Sequence, residues 1–169
     1  MQITFWSLIL LIGICTSFAY GTYWDEYSEK QILYSNLYEY VIDFAPDSKL
    51  ASDFEKSNIV PISLSVERDH GVAPYYPISF IYGIEKNNIH LGSQIWHVYT
   101  FLLVYLGMVW LYFLTKKIYQ NIYLSMTAVL LFWLSPRMFA ESHYNNKDMV
   151  LLAAFMAILY FGCKLSVET

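Results

Sequence analysis

Ser135–Asp148 reads SPRMFAESHYNNKD. It places Arg137, Glu141, His143, Lys147 and Asp148 between two apolar segments, Ile122–Leu134 and Met149–Cys163. Insertion scales put an Asp, Lys or Arg at a helix centre at roughly 2.5–3.5 kcal/mol each. Such a cluster therefore belongs at a membrane boundary, or is kept inside for function. If Pro136 opens a helix with Ser135 as its cap, Arg137, Glu141, Asn145 and Asp148 share one side. His143 and Lys147 then form an i, i+4 pair on a neighbouring side.

Working outward, four apolar segments suggest an all-α membrane protein with about four transmembrane helices and an extracytoplasmic loop carrying amphipathic helices. They are Ile3–Gly21, Ile95–Leu114, Ile122–Leu134 and Met149–Cys163. The last two reach spanning length only with polar flanks, over 119–135 and 146–164. Ser17 and Ala19 make a small-x-small pattern before Tyr20. MQIT carries no basic residue, however, so an uncleaved helix is expected rather than a signal peptide. The chain is 57% hydrophobic, 19% aromatic and only 14% charged, where a soluble domain is about 25% charged. Many of the 16 tyrosines flank the apolar blocks, as interfacial belts do. A net charge of −4 excludes a basic nucleic-acid surface. Cys15 and Cys163 lie far apart in apolar segments and make neither a metal-ligand spacing nor a disulfide framework.

Lys116 and Lys117 fill the connection after the second segment, and Lys164 follows the fourth. The positive-inside rule puts both in the cytoplasm. The N-terminus is then inside. The loop 22–94 and the Ser135–Asp148 connection are outside, in a multi-pass plasma (inner) membrane protein. The loop holds eleven carboxylates against five basic residues. Within it, DEYSEKQILYSNLYEYVIDF (Asp25–Phe44) repeats Ile32, Leu33, Leu37, Tyr40, Val41 and Phe44 at helical spacing. Glu29, Lys30, Ser35 and Glu39 fall between them, as in a helix lying in the interface plane. Ala45–Leu64 reads as a turn-rich connector, and Tyr75–Tyr82 as an aromatic stretch started or kinked by Pro77.

Asp25 and Glu26 follow the first apolar segment. They read either as solvated residues of a first helical turn or as a general base near the membrane surface. Adjacent carboxylates point to different sides, so only one would face a site. In the second cluster, Arg137, His143 and Lys147 suit an anion such as phosphate, with a carboxylate to orient them. No glycine-rich nucleotide cradle accompanies them. Asp69 and His70, in the ERDHGVAPYY turn, with Glu141 and His143, are a weaker zinc set without a helical H-E-x-x-H.

SPRMFAESHYNNKD strongly resembles a motif of bacterial glycosyltransferases of family 39, membrane enzymes related to protein O-mannosyltransferases and lipid A aminoarabinose transferases. The order of features is similar too: a first span, the acidic pair, amphipathic loop helices, the Arg68–Pro74 turn and a second span. The resemblance implies the N-terminal portion of a C-type fold, because such enzymes are several times longer. A second chain completing the fold, or an inactive truncated remnant, is therefore among the expectations. It implies inverting transfer of a sugar from a polyprenyl-phosphate carrier to an acceptor hydroxyl on a protein, lipid or glycan at the outer face. Asp25 would be the base, and Glu26 would support it or bind a sugar. Lys147, His143 and Arg137 would bind the donor phosphate, with Glu141, Asp69, His70 and Asn145 supporting. No cofactor is required, and a divalent metal is compatible but unnecessary. The alternative is a non-enzymatic assembly partner or lipid-binding module.

The orientation has a direct check in a background lacking Cys15 and Cys163. A membrane-impermeant maleimide added outside should label Ser28→Cys and spare Lys116→Cys; the opposite pattern inverts the topology.

Overall fold

The computed structural model describes residues 2–168. Eight α-helices run in order: α1 (Gln2–Ser17), α2 (Glu26–Phe44), α3 (Lys49–Lys56), α4 (Ile81–Glu85), α5 (Ile89–Tyr119), α6 (Ile122–Trp133), α7 (Pro136–Tyr144) and α8 (Asp148–Glu168). Short 3-10 turns occupy Ile62–Leu64 and Ala73–Ile78. No strand occurs among the described residues. The chain divides into two compact units: Thr22–Ser93, and Met1–Gly21 with Gln94–Thr169.

Two helices, α5 with 31 residues and α8 over Asp148–Ser166, are long and apolar enough to cross a membrane. A third crossing exists if α6 and α7, bent by 72° at their junction, count as one. The protein is thus all-helical with two or three candidate membrane helices. α1 has 16 residues, about 24 Å against a hydrocarbon core of about 30 Å. α6 has only 12. It starts late because Gln120 adopts a left-handed conformation (φ 50°). The Asn121 side chain then caps the Tyr123 and Leu124 amides at 2.8 and 3.2 Å.

The membrane-type unit packs around Ile9, Phe101, Met108, Tyr112, Val129 and Trp133. These buried residues come from α1, α5 and α6. Trp6 meets Tyr105 and Tyr112 edge-on, with ring centroids 5.5 and 5.7 Å apart. Gly13 permits the closest approach: a Cβ there would lie 1.9 Å from the Phe101 ring. α8 joins the unit through Gly107, where a Cβ would sit 2.6 Å from that of Ala153. Trp110 stacks on Tyr160 one helical turn further on. Small residues allow such backbone approach where apolar burial cannot distinguish a neighbouring helix from lipid.

The loop unit is built on α2. Its N-terminal turns bury Ile32, Leu33 and Tyr34, but also Glu26, Glu29, Lys30 and Ser35. That corrects the simple amphipathic reading, in which Glu29, Lys30 and Ser35 faced outward. Tyr40 and Phe44, on the apolar stripe expected to face the interface, are exposed. The segment Ala45–Leu64 is more ordered than a connector. It contains α3, capped by Ser48 on the Ala51 amide at 3.2 Å. α3 buries Ala51 and Phe54, and Phe54 stacks obliquely on Tyr82 at 4.4 Å. Pro77 lies inside the Ala73–Ile78 turn, which holds Tyr75 and Ile78 in the core.

Replacing Gly107 by leucine forces α5 and α8 apart and should cost about 1–3 kcal/mol by overpacking. Gly162, whose Cβ position is open, should accept leucine without loss. Thermal unfolding in detergent separates the two variants.

Candidate functional site

The candidate residues fall into two clusters, one in each unit. In the loop unit, α2 opens on Asp25, which takes the cap position but makes no side-chain cap bond. Asp25 is exposed, whereas Glu26 is fully buried. Of the acidic pair, Glu26 therefore turns inward and Asp25 outward, as alternate directions on a first helical turn require. Glu26 Oε1 lies 2.6 Å from Lys30 Nζ, one turn along α2. The Lys30 ammonium also binds Glu85 Oε1 at 2.5 Å and donates to Ser93 Oγ at 3.1 Å. The other Glu85 oxygen accepts from the Tyr34 hydroxyl at 2.5 Å. Burial, and next the bond to Glu85, push the Tyr34 phenol well above its ordinary pKa. It stays a neutral donor. Gly92 makes room for Glu85: a Cβ there would sit 2.1 Å from Glu85 Cγ.

Lysine is seldom buried unless paired. The sequence signal for this network is the i, i+4 spacing of Glu26 and Lys30, which an exposed helix pair also has. Lys30, Glu85 and Tyr34 were therefore not among the sequence candidates. Asp69 and His70 lie in the same unit, both exposed. His70 Nδ1 is 2.8 Å from Glu67 Oε2.

In the membrane-type unit, Ser135 leaves the helical region (ψ 123°) before Pro136, and α7 begins with the Phe139 amide on the Ser135 carbonyl at 2.8 Å. Proline disfavours the helical conformation in the residue before it, which explains the bend from α6. The Ser135 side chain makes no cap bond, contrary to the sequence reading. The polar row does form. Arg137 Nε donates to Glu141 Oε1 at 2.7 Å. The Asn145 amide donates to Glu141 Oε2 and to Asp148 Oδ2, each at 3.3 Å. The Asp148 amide in turn bonds Asn145 Oδ1 at 3.0 Å.

The expected His143–Lys147 pair does not share a helix, because α7 ends at Tyr144 with Asn145 as its cap. Lys147 lies at the surface in the turn before α8. His143, expected from the resemblance beside the donor phosphate, is fully buried. Its Nδ1 donates to the Phe139 carbonyl at 2.7 Å, and its Nε2 shares a hydrogen bond with Thr16 Oγ1 at 2.8 Å. Tyr20 stacks on it at 4.7 Å (17°) and Phe101 at 5.3 Å (11°). With both nitrogens engaged and aromatic rings beside it, His143 ties α7 to α1. No described group of three His, Cys, Asp or Glu could hold a metal ion.

Compared with known proteins, the chain matches no family model, and neither a curated protein nor a solved structure is significantly similar to it.

Removing one partner of a buried ion pair typically costs about 3–5 kcal/mol. Lys30→Met should therefore destabilise the loop unit by about 3 kcal/mol, and adding Glu26→Gln should recover part of that loss. Hydrogen exchange along α2 would read both changes.

Proposed function

We propose that this chain takes part in inverting sugar transfer from a polyprenyl-phosphate-linked donor to an acceptor hydroxyl at the outer face of a plasma membrane. The reading rests on Ser135–Asp148. Its resemblance to the family 39 glycosyltransferases is joined by the hydrogen-bonded row Arg137–Glu141–Asn145–Asp148. In a multi-pass arrangement with four crossings, α1 and the α6–α7 pair join α5 and α8, and the N-terminus is cytoplasmic. Both clusters then belong to the outer side.

In this reading Asp25, the exposed member of the acidic pair, takes the proton of the acceptor hydroxyl as its oxygen bonds the anomeric carbon. The bond from that carbon to the phosphate oxygen breaks on the opposite face, and polyprenyl phosphate departs as an anion. Phosphate is a competent leaving group, so charge stabilisation serves in place of a strong acid. Lys147 and Arg137 supply it. Glu141 and Asn145 hold the Arg137 guanidinium in direction. Glu26, bound to Lys30, serves by fixing the first turn of α2.

The test uses membrane vesicles carrying the full chain and a polyprenyl-phosphate sugar labelled in the sugar. Asp25→Asn should lower transfer by about a hundredfold or more, the usual contribution of a positioned general base, with membrane insertion unchanged. Lys147→Ala should raise the donor concentration needed for half-maximal rate. Undiminished transfer in Asp25→Asn removes the base. Equal, purely destabilising effects of both substitutions favour a non-enzymatic membrane partner.

A further inference from the structure

α5 and α8 run side by side in the same direction. Gly107 meets Ala153, Trp110 stacks on Tyr160, and Phe113 packs against the same tyrosine with ring centroids 5.9 Å apart. Toward their ends a cleft of about 430 Å³ opens between them. Lys117, Ile118 and Gln120 line it from the α5 side, and Cys163 and Ser166 from α8. Small-molecule sites occupy about 300–1,000 Å³.

The cleft sits where the apolar runs of both helices end. On α5 the run stops at Leu114 and Lys116 follows; on α8 it stops at Cys163 and Lys164 follows. Both helices are long and apolar enough to cross a bilayer, so this end belongs to the zone where hydrocarbon gives way to headgroups. One helical turn back from Lys117 and Cys163, Phe113 and Leu159 keep 40% and 41% of their surface exposed. They extend an apolar wall from the cleft toward the middle of the span.

The charge at this end is one-sided. Lys116, Lys117 and Lys164 stand against a single carboxylate in the sequence, Glu168 in the last turn of α8. The start of α1, where Gln2 bonds the Tyr112 hydroxyl at 2.9 Å, brings no charged side chain, and neither does the first turn of α6. Lys116 lies over the Tyr112 ring, 5.8 Å from its centre. The half-buried Lys117 has neither an ion pair nor a side-chain hydrogen bond with any described residue. Gln120 leaves the helix at φ 50°, and its side-chain amide is unengaged in the same sense. The Ser166 hydroxyl donates to the Gly162 carbonyl at 2.9 Å. An unpaired ammonium and an amide at the mouth of an apolar groove suit an anionic head on a hydrocarbon tail.

We infer that this cleft binds one anionic phospholipid of the bilayer, with its phosphate on the Lys117 ammonium and the Gln120 amide and an acyl chain along Phe113 and Leu159. Lys116 and Lys164 do not line the cleft; they add attraction for the negative headgroup. A bound lipid closes the gap between the two helix ends. The site is independent of the sugar-transfer reading.

Cys163 lines the cleft and is exposed, so it reports occupancy. The full chain carrying Cys15→Ser is placed in nanodiscs of phosphatidylcholine, alone or with phosphatidylglycerol. Mass spectrometry reads the rate of alkylation by uncharged N-ethylmaleimide. An anionic surface slows any thiol reaction by lowering the local pH, so a chain with Cys15→Ser, Cys163→Ser and Tyr119→Cys supplies the reference. Tyr119 is exposed and does not line the cleft. Relative to that reference, phosphatidylglycerol should slow alkylation of Cys163 at least about fivefold, the preference one lysine confers on an anionic lipid. Lys117→Gln, at a site with no partner to lose, should remove this excess protection. Phosphatidylglycerol with a photoactivatable acyl group should label the peptides containing Phe113 and Leu159. Equal relative rates in the two lipids, excess protection that persists in Lys117→Gln, or no acyl label at either peptide would overturn the site. Crosslinking of Cys163 to Cys163 of a second copy by a bismaleimide would also overturn it, in favour of an interface between chains.

Discussion

The arrangement of the membrane-type unit depends on one imidazole. His143 sits on a nine-residue helix that follows a proline bend, a segment too short to hold its direction alone. The bonds from its ring to Phe139 and Thr16, with Phe101 and Tyr20 against its faces, fasten α7 to α1 and α5. Gly13 is part of the same fastening, since any side chain there would displace Phe101. With α7 held on that side, Arg137 and Glu141 project from the other as a preformed row.

The loop unit solves a related problem with charge. Its first helical turns bury two carboxylates and a lysine where aliphatic residues would be simpler. A buried ion pair seldom adds stability over an apolar core, but breaking one is costly. Such a network therefore restricts how α2 can be seated more than it strengthens the unit. Lys30 reaches Glu26 in its own helix and Glu85 at the end of α4. The direction in which Asp25 leaves the unit follows from that seating, which gives a buried lysine a bearing on an exposed carboxylate.

Local chemistry explains which parts of this could be read from sequence. The helix expected over Asp25–Phe44 is α2 over Glu26–Phe44, because apolar positions recur there over several turns. The start of α7 was visible in Ser135-Pro136. Its end was also encoded, in Asn145-Asn146, residues that favour turns over helix interiors; extending the helix to Lys147 ignored that signal. α3 is only eight residues long, too brief for a periodic pattern to stand out between prolines. The role of His143 could not be read, since its partner Thr16 lies 127 residues away and nothing local separates a buried imidazole from a ligand. Charge at Glu29 and Lys30 suggests exposure in the sequence, yet both are buried. The burial of Lys30 depends on Glu85 and on the space left by Gly92, which are distant in sequence.

Two or, with the bent pair, three of the described helices are long and apolar enough to cross a bilayer, and the polar groups are concentrated at helix ends and in the loop unit. Under the proposed function, the substrate is itself anchored in lipid, with a phosphate at the boundary. The most direct test of this account is equilibrium binding of a labelled polyprenyl phosphate to the full chain in nanodiscs, set against the corresponding polyprenol. The account predicts saturable binding that requires the phosphate and weakens when Arg137 and Lys147 are both replaced by alanine. Equal retention of the alcohol and the phosphate, unaffected by those substitutions, would contradict it.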